Sequence, residues 1–400
     1  MTVSTSRILI VGGGFAGVWA ALAAARQRDE SGSSLDIVLI SKDDQLTIRP
    51  RLYQKNPAGL RTPLRATLEP AGVTLICATI DAIDAQERRV TFTKPGGEND
   101  AMMFDRLVLA TGSETAMPPI EGLAEHGWTV NSHDDALAFD AHLKRIAALP
   151  ADAGTQSYVI IGAGMTGIEM ATELRGRIAE YGGAHRAAAA KILLIERGGE
   201  IGPDLGPGPR PVIAEALADA DVEVRLNTHL TQVDATGVTL STGTHIEAKT
   251  VIVATGLRAS ALCAALGQPL DALGRLEVDE MLRVKGLNGV FAAGDVARAY
   301  ADDEHLALMS CQHAMPMGKC AGHNAARDLC GVDMQPYRQP TYATCIDLGE
   351  SGAVYTTGWE RTIEKTGAEA KALKTQINEQ WIYPPTGSRK DVLANAGIAL

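Results

Sequence analysis

Short apolar runs recur along the chain, and several of them end in glycine or in a small-residue turn. The first, "RILIV" at Arg7–Val11, leads into "GGGFAG" and then into an alanine-rich stretch reaching about Arg28. A brief apolar run bounded by glycine predicts a buried strand, and the stretch after it predicts a helix. A second apolar run, Leu35–Ile40, completes a β–α–β unit. Positions 73–93 predict short strands around the turn-like "DAQERR", and "RLVLATG" at 106–112 predicts another buried strand. The turn-rich "SETAMPPIEG" at 113–122 predicts a crossing between domains.

The pattern then repeats. A strand at Tyr158–Ile161 meets a glycine turn, a helix is predicted from about Gly164 to Glu180, and a strand follows at Lys191–Ile195. "VEVRLN", "GVTLS" and "TVIVATG" come next, so both units close on Ala-Thr-Gly. "GVFAAGDVA" at 289–297 predicts one more strand, and a helix is predicted from near Pro316 to Leu329, because proline suits a first helical turn. Residues 331–400 read differently: strand-like "TYATCIDLG" and "GAVYTTGW", then a polar tail.

Ile8–Ala25 is uncharged and nearly long enough to span a bilayer. Glycines 12, 13, 14 and 17 divide it, and no basic leader or cleavage site accompanies it, so a buried β–α unit is expected in place of a span or signal peptide. Four hundred residues, 46% hydrophobic and 21% charged, predict a globular chain of two or three domains. The 37 basic and 48 acidic residues leave a net charge of −11, which disfavours nucleic acid and anionic lipid as partners. Aromatics at 4% are too few for single-strand stacking platforms. No two of the six cysteines form Cys-x-x-Cys, so no redox dithiol and no metal site is expected; free thiols in a reducing cytoplasm fit a long chain without a secretory signal.

The two glycine turns carry the chemistry. Gly12, Gly14 and Gly17 in the first, and Gly162, Gly164 and Gly167 in the second, each stand between a strand and a helix. Such a turn brings a pyrophosphate against unpaired helix N–H groups and the positive end of the helix dipole. The first glycine permits the turn, the second close approach, and the third helix–strand packing. An acid closing the second strand binds ribose hydroxyls and repels a 2′-phosphate. In the second unit this is Glu196, at 196 − 162 = 34 residues past the first glycine, an interval lengthened by "YGGAHRAAAA". It favours NADH over NADPH, although the adjacent Arg197 leaves NADPH open. In the first unit the position is Ser41, which does not exclude a phosphate. Two dinucleotide sites on one chain predict a resident flavin and a transient nicotinamide, with hydride passing between them.

With both fingerprints, both Ala-Thr-Gly strands and "GVFAAGDVA" in this order, residues 7–355 resemble the two-dinucleotide-binding flavoprotein oxidoreductases. The nearest resemblance is to type II NADH dehydrogenases, the single-chain NADH:quinone oxidoreductases. It rests on "GAGMTGIEMATEL", on "ISKDDQLTIRPRLYQ" with Pro50 and Tyr53, and on "TCIDLGESGAVYTTG" with Asp347 and Gly349. It implies an α/β fold of two Rossmann-like domains and a small C-terminal α+β segment. Residues 1–118 and 284–330 would bind FAD, 119–283 would bind NAD(H), and 331–400 would form an interface or acceptor side. The FAD residues implied are Gly12, Gly13, Gly14, Phe15, Ala16, Gly17, Ser41, Lys42, Arg49, Ile80, Ala110, Thr111, Gly112, Asp295, Gln312 and Lys319. For NAD(H) they are Gly162, Gly164, Met165, Thr166, Gly167, Glu196, Arg197, Thr255 and Gly256. Glu169 would sit beside the nicotinamide, Gln312 at the flavin's quinone side, and His313 would shuttle a proton. A helix N-terminus near Pro316–Lys319 would face the flavin.

Two departures bear on the acceptor. The family's Ala-Gln-x-Ala-x-Gln-Gln-Gly stretch reads "CQHAMPMG" at 311–318, with Pro316 and Met317 in place of the paired glutamines. The C-terminal tail shows no sustained apolar face beyond Trp381-Ile382-Tyr383, so membrane contact is expected to be peripheral at most. The partners expected are therefore NADH and a quinone, with a soluble iron–sulfur protein or metabolite as the alternative acceptor and a homodimer as a further option. Sulfide:quinone chemistry ranks lower, because no cysteine lies near the second fingerprint; a flavin-binding sensor with little turnover is the reading from another class.

Overall fold

Ser6–Val11 lies at the centre of a five-stranded parallel sheet in the computed structural model, which describes residues 5–398. Its order is Val290–Ala292, Arg106–Leu109, Ser6–Val11, Leu35–Ser41, Thr74–Cys77. Helix α1 (Phe15–Ser31) connects the two central strands and ends on Gly32 in the left-handed region. These strands are apolar on both faces because the sheet is covered on both; Ile8, Leu9, Ile10, Leu39, Leu107 and Phe291 are all fully buried.

The second unit repeats the topology. Its parallel sheet runs Gly127–Trp128, Thr250–Val253, Ser157–Ile161, Lys191–Ile195, Val222–Arg225. Helix α2 (His133–Ala148), opened by a capping box on Ser132, packs against helix α3 (Met165–Ala189). Each sheet also has a three-stranded antiparallel meander, at Thr79–Met103 and at Leu230–Glu247. The edge strand distinguishes the units: the first borrows its own from residues 290–292, far along the chain, and the second from residues just before it. Helix α3 passes the predicted end at Glu180. Gly183, at φ 80°, breaks it, and "HRAAA" continues it to Ala189, so the long interval before Glu196 is helical rather than loop.

One further expectation is corrected. The late helix, α4 (Cys311–Leu329), starts at Cys311 and not near Pro316. Ser310 is its N-cap, its hydroxyl accepting from His313 N–H, and this cap overrides the proline signal. Pro316 lies inside the helix, where its missing N–H would have served the Gln312 carbonyl; Gln339 Nε2 donates to that carbonyl instead, at 3.2 Å. Helices α1 and α4 pack at backbone distance, since a Cβ on Gly318 would stand 2.1 Å from Ala16 O and one on Gly322 2.0 Å from Ala20 O.

The polar tail is folded. Ala343–Asp347, Ala353–Thr357 and Thr362–Thr366 form an antiparallel sheet. Helix α5 (Gly367–Gln376) follows, then a π-helical turn at Ile377–Trp381 and a short helix at Arg389–Ala394. Arg389 pairs with Asp29 at 2.6 Å, fastening this segment to α1. The last two residues of the tail, 399 and 400, lie outside the described ones.

Candidate active site

The two glycine turns are superimposable in their contacts. Gly12 N–H donates to Ile40 O and Gly162 N–H to Ile195 O, both at 2.8 Å. A Cβ on Gly12 would meet Ala110 O at 2.3 Å, and one on Gly162 would meet Ala254 O at 2.4 Å. The backbone has φ of 113° and 100° at these two positions, so glycine is required twice over. A Cβ on Gly17 or Gly167 would stand 1.8 or 1.9 Å from the carbonyl oxygen of Gly12 or Gly162, which is helix–strand packing, and neither glycine lines the cleft. At the middle glycines the surroundings change. A Cβ on Gly14 or Gly164 would meet nothing within 4 Å, and neither residue caps its helix with a side chain. Each turn is thus an open cradle of unpaired N–H groups at a helix start, the form a pyrophosphate fits.

Both cradles open into one continuous cleft of about 3520 Å³. That is several times the roughly 300–1,000 Å³ of a single small-molecule site. Of the sequence candidates, Gly12–Ala16, Ser41, Lys42, Arg49, Ile80, Ala110–Gly112, Asp295, Gln312 and Lys319 line it. So do Gly162, Gly164, Met165, Thr166, Glu169, Glu196, Arg197, Thr255 and Gly256. Thr111 Oγ1 is buried there without a partner, a polar atom left for a ligand. Asp295 accepts from Ser113 Oγ at 2.6 Å and stands 3.6 Å from Arg49 Nη1. The buried Glu196 carboxylate accepts from Ala163 N–H at 2.9 Å and Gly198 N–H at 2.8 Å, while Arg197 is exposed. The residues present therefore fit a dinucleotide at each cradle.

Glu169 is 5% exposed, and its strongest partner was not visible in the sequence. Lys374 Nζ, from α5, donates to Glu169 Oε1 at 2.7 Å and to Cys345 O at 2.8 Å. Burial pushes the Glu169 carboxyl above the usual carboxylate range, with Lys374 pulling against it. Burial lowers the Lys374 ammonium, and the Glu169 carboxylate outweighs it, holding the ammonium above its ordinary value. Asp347 N–H also donates to Glu169, and Tyr53 O–H donates to Asp347 Oδ2 at 2.9 Å. The flavin-loop and strand-turn motifs quoted from the sequence meet here. Arg361, likewise unforeseen, is itself buried at the end of a hairpin turn and lines the cleft with Nη1 unpartnered.

Two placements limit the chemistry. Gln312 turns its carboxamide to the Ala343 peptide, donating to its O at 2.8 Å and accepting from its N–H at 3.2 Å. His313 is fully buried behind the cleft wall, with Nδ1 3.0 Å from Ser310 Oγ and Nε2 unpartnered. Burial and then Arg361 pull its pKa down to about 4, so the ring is neutral at pH 7. The helix N-terminus at Cys311 and the ammonium of Lys319 are separated by eight residues, about 12 Å along α4, so they do not act at one point. Cys311 and Cys345 both line the cleft as free thiols, and burial pushes each up to about 11, which favours the thiol over the reactive thiolate.

Comparison with known proteins agrees with this geometry. Residues 6–318 match the family model described as pyridine nucleotide-disulphide oxidoreductase. An NADH dehydrogenase-like protein of Mycobacterium tuberculosis is 45% identical over 395 residues, 98% of each chain. A type II NADH:quinone oxidoreductase of Staphylococcus epidermidis is 26% identical over 399 residues, 96% of each chain. Among solved structures, NDH2 from Plasmodium falciparum in complex with NADH superposes with a TM-score of 0.80 over 95% of each chain at 14% identity, a likeness of fold.

Proposed function

The chain belongs to the pyridine nucleotide-disulphide oxidoreductase family, and on that premise we propose that it is an FAD-dependent NADH dehydrogenase passing electrons to a quinone. The overall reaction converts NADH, a proton and a quinone into NAD⁺ and a quinol. The observation that carries this reading is the pair of open glycine cradles facing one cleft, with the buried Glu169–Lys374 pair on its wall. When bound, FAD supplies the two-electron relay between nicotinamide and quinone.

The first cradle, with Ser41, Lys42, Arg49, Ile80 and Asp295, holds FAD. The second cradle, with Met165, Thr166, Thr255 and Gly256, holds NADH. Glu196, oriented by two backbone N–H groups, favours NADH over NADPH. Residues 1–118 and 284–330 make the FAD domain, 119–283 the NAD(H) domain and 331–400 the acceptor side. The strand at 290–292 returning to the first sheet supports that division. The proton consumed is held on the Glu169–Lys374 pair, since His313 is neutral and off the cleft. Among the described residues no helix is long and apolar enough to cross a membrane. Membrane contact in this reading is peripheral, at the exposed Trp381. A soluble acceptor is the second reading, favoured by Met317, which is buried in the core and offers the cleft no side chain where the family carries glutamine.

The test is NADH consumption by the purified flavoprotein without oxygen, with and without a water-soluble quinone. Quinone-dependent multiple turnover is expected. A flavin that bleaches once and does not recover its colour on adding quinone would overturn the reading.

A further inference from the structure

Among the described residues Lys319 is a cation without an anion. Its side chain is half-buried on α4 and lines the cleft, with Nζ 4.4 Å over the ring of the buried Trp19. Among the described residues it has neither a hydrogen bond nor an ion pair. Burial and the neighbouring Arg26 both pull its ammonium below the usual lysine range. Arg26 itself is occupied, with Nε on Glu30 at 2.8 Å and Nη1 on Ala394 O at 2.9 Å. Lys319 therefore brings free donors to this wall.

Its surroundings specify what it meets. Residues three and four before it on the same helical face are Pro316 and Met315, and both line the cleft. Neither carries a side-chain donor. The ammonium rests over the Trp19 ring of α1, on the cleft wall that Met315 and Pro316 also line. A half-buried ammonium against tryptophan, methionine and proline is poorly solvated, and an anion restores what burial removes. A planar ring with an acidic substituent matches both the apolar wall and the ammonium.

Resting on the quinone reading above, we propose that this wall selects a quinone bearing an anionic substituent, a carboxylate or sulfonate, whose charge is received by Lys319 on Trp19. Lys319 acts in specificity. It replaces the neutral amide donors that Pro316 and Met317 remove.

The test compares kcat/KM for 1,4-naphthoquinone-2-sulfonate with that for 2-methyl-1,4-naphthoquinone in the flavin-loaded protein and in Lys319→Met and Lys319→Arg. The sulfonate-to-methyl ratio is expected to fall about tenfold or more in Lys319→Met and to be retained in Lys319→Arg. Raising KCl from about 0.05 to about 0.5 M is expected to shrink the difference between the native protein and Lys319→Met. An unchanged ratio in Lys319→Met overturns the proposal. So does loss of FAD absorbance per chain with both quinones slowed equally, which places Lys319 on the cofactor. If NADH bleaches the flavin and neither quinone restores its colour, the quinone reading falls and takes this one with it.

Discussion

Lys374 Nζ lies 2.7 Å from Glu169 Oε1 across 205 residues of sequence, and both side chains are buried. Removing one partner leaves a buried charge uncompensated. Lys374→Met is expected to destabilise the protein by about 3–5 kcal/mol, and the double variant Glu169→Gln/Lys374→Met by less than either single one. Thermal unfolding of the flavin-loaded protein measures this. Additive losses would show that the two groups are not a pair.

Glu169→Gln is also expected to slow NADH-driven quinone reduction about tenfold or more with FAD absorbance per chain retained. Loss of FAD in this variant would remove Glu169 from the reacting end of the cleft and make it a structural residue.

The glycine cradles separate folding from binding. Gly14 has φ −79° and ψ −172°, which any residue adopts, and its Cβ position is empty. Gly14→Val is expected to keep the native circular dichroism and lose FAD. Gly164→Val, in the same conformation, should keep FAD and raise the KM for NADH about tenfold or more. Gly12→Val should fail to fold, since its φ is 113° and any Cβ there would stand 2.3 Å from the Ala110 carbonyl oxygen.

Gln339 and Pro316 form a compensating pair. Gln339→Ala strips the Gln312 carbonyl of its donor at a cost of about 1–3 kcal/mol. In Pro316→Ala the helix regains its own N–H, so the same Gln339 change should cost less, the remainder being the Tyr337 Oη–H bond that Gln339 Oε1 accepts at 2.8 Å. A double-mutant cycle in thermal stability reads the coupling, and a coupling near zero would contradict the account.

Acid should weaken the fold before it reaches the carboxylates. Burial and then a neighbouring arginine pull both His142 and His313 down to about 4, from an unfolded value near 6.5. The unfolded chain therefore binds these protons first. The stability is fully present above about pH 6.5 and is lost as pH falls toward 4, by up to about 1.4 kcal/mol per pH unit for each ring. Melting temperatures from pH 7 to pH 5 should fall, and less steeply in His142→Gln, which can keep the bond to Thr250. A flat profile would count against both rings being neutral in the folded state.

The duplicated strands, glycine turns and helices were legible along the chain because each is written within about thirty residues, as apolar period, turn chemistry and the absence of Cβ. Gly12 and Gly162 carry their own reason, since a positive φ beside a carbonyl admits no other residue. What resisted reading depends on segments meeting across the fold. The start of α4 was set by Ser310 and not by Pro316, because Gln339, from another segment, supplies the donor that proline lacks. Lys374 looked like one charge in a polar tail. It becomes Glu169's partner only when the C-terminal sheet and α5 close over the second unit, where low dielectric makes an unpaired carboxylate intolerable. Local backbone demands leave a mark at the residue that meets them, whereas a pairing between distant groups leaves none until packing removes the water between them.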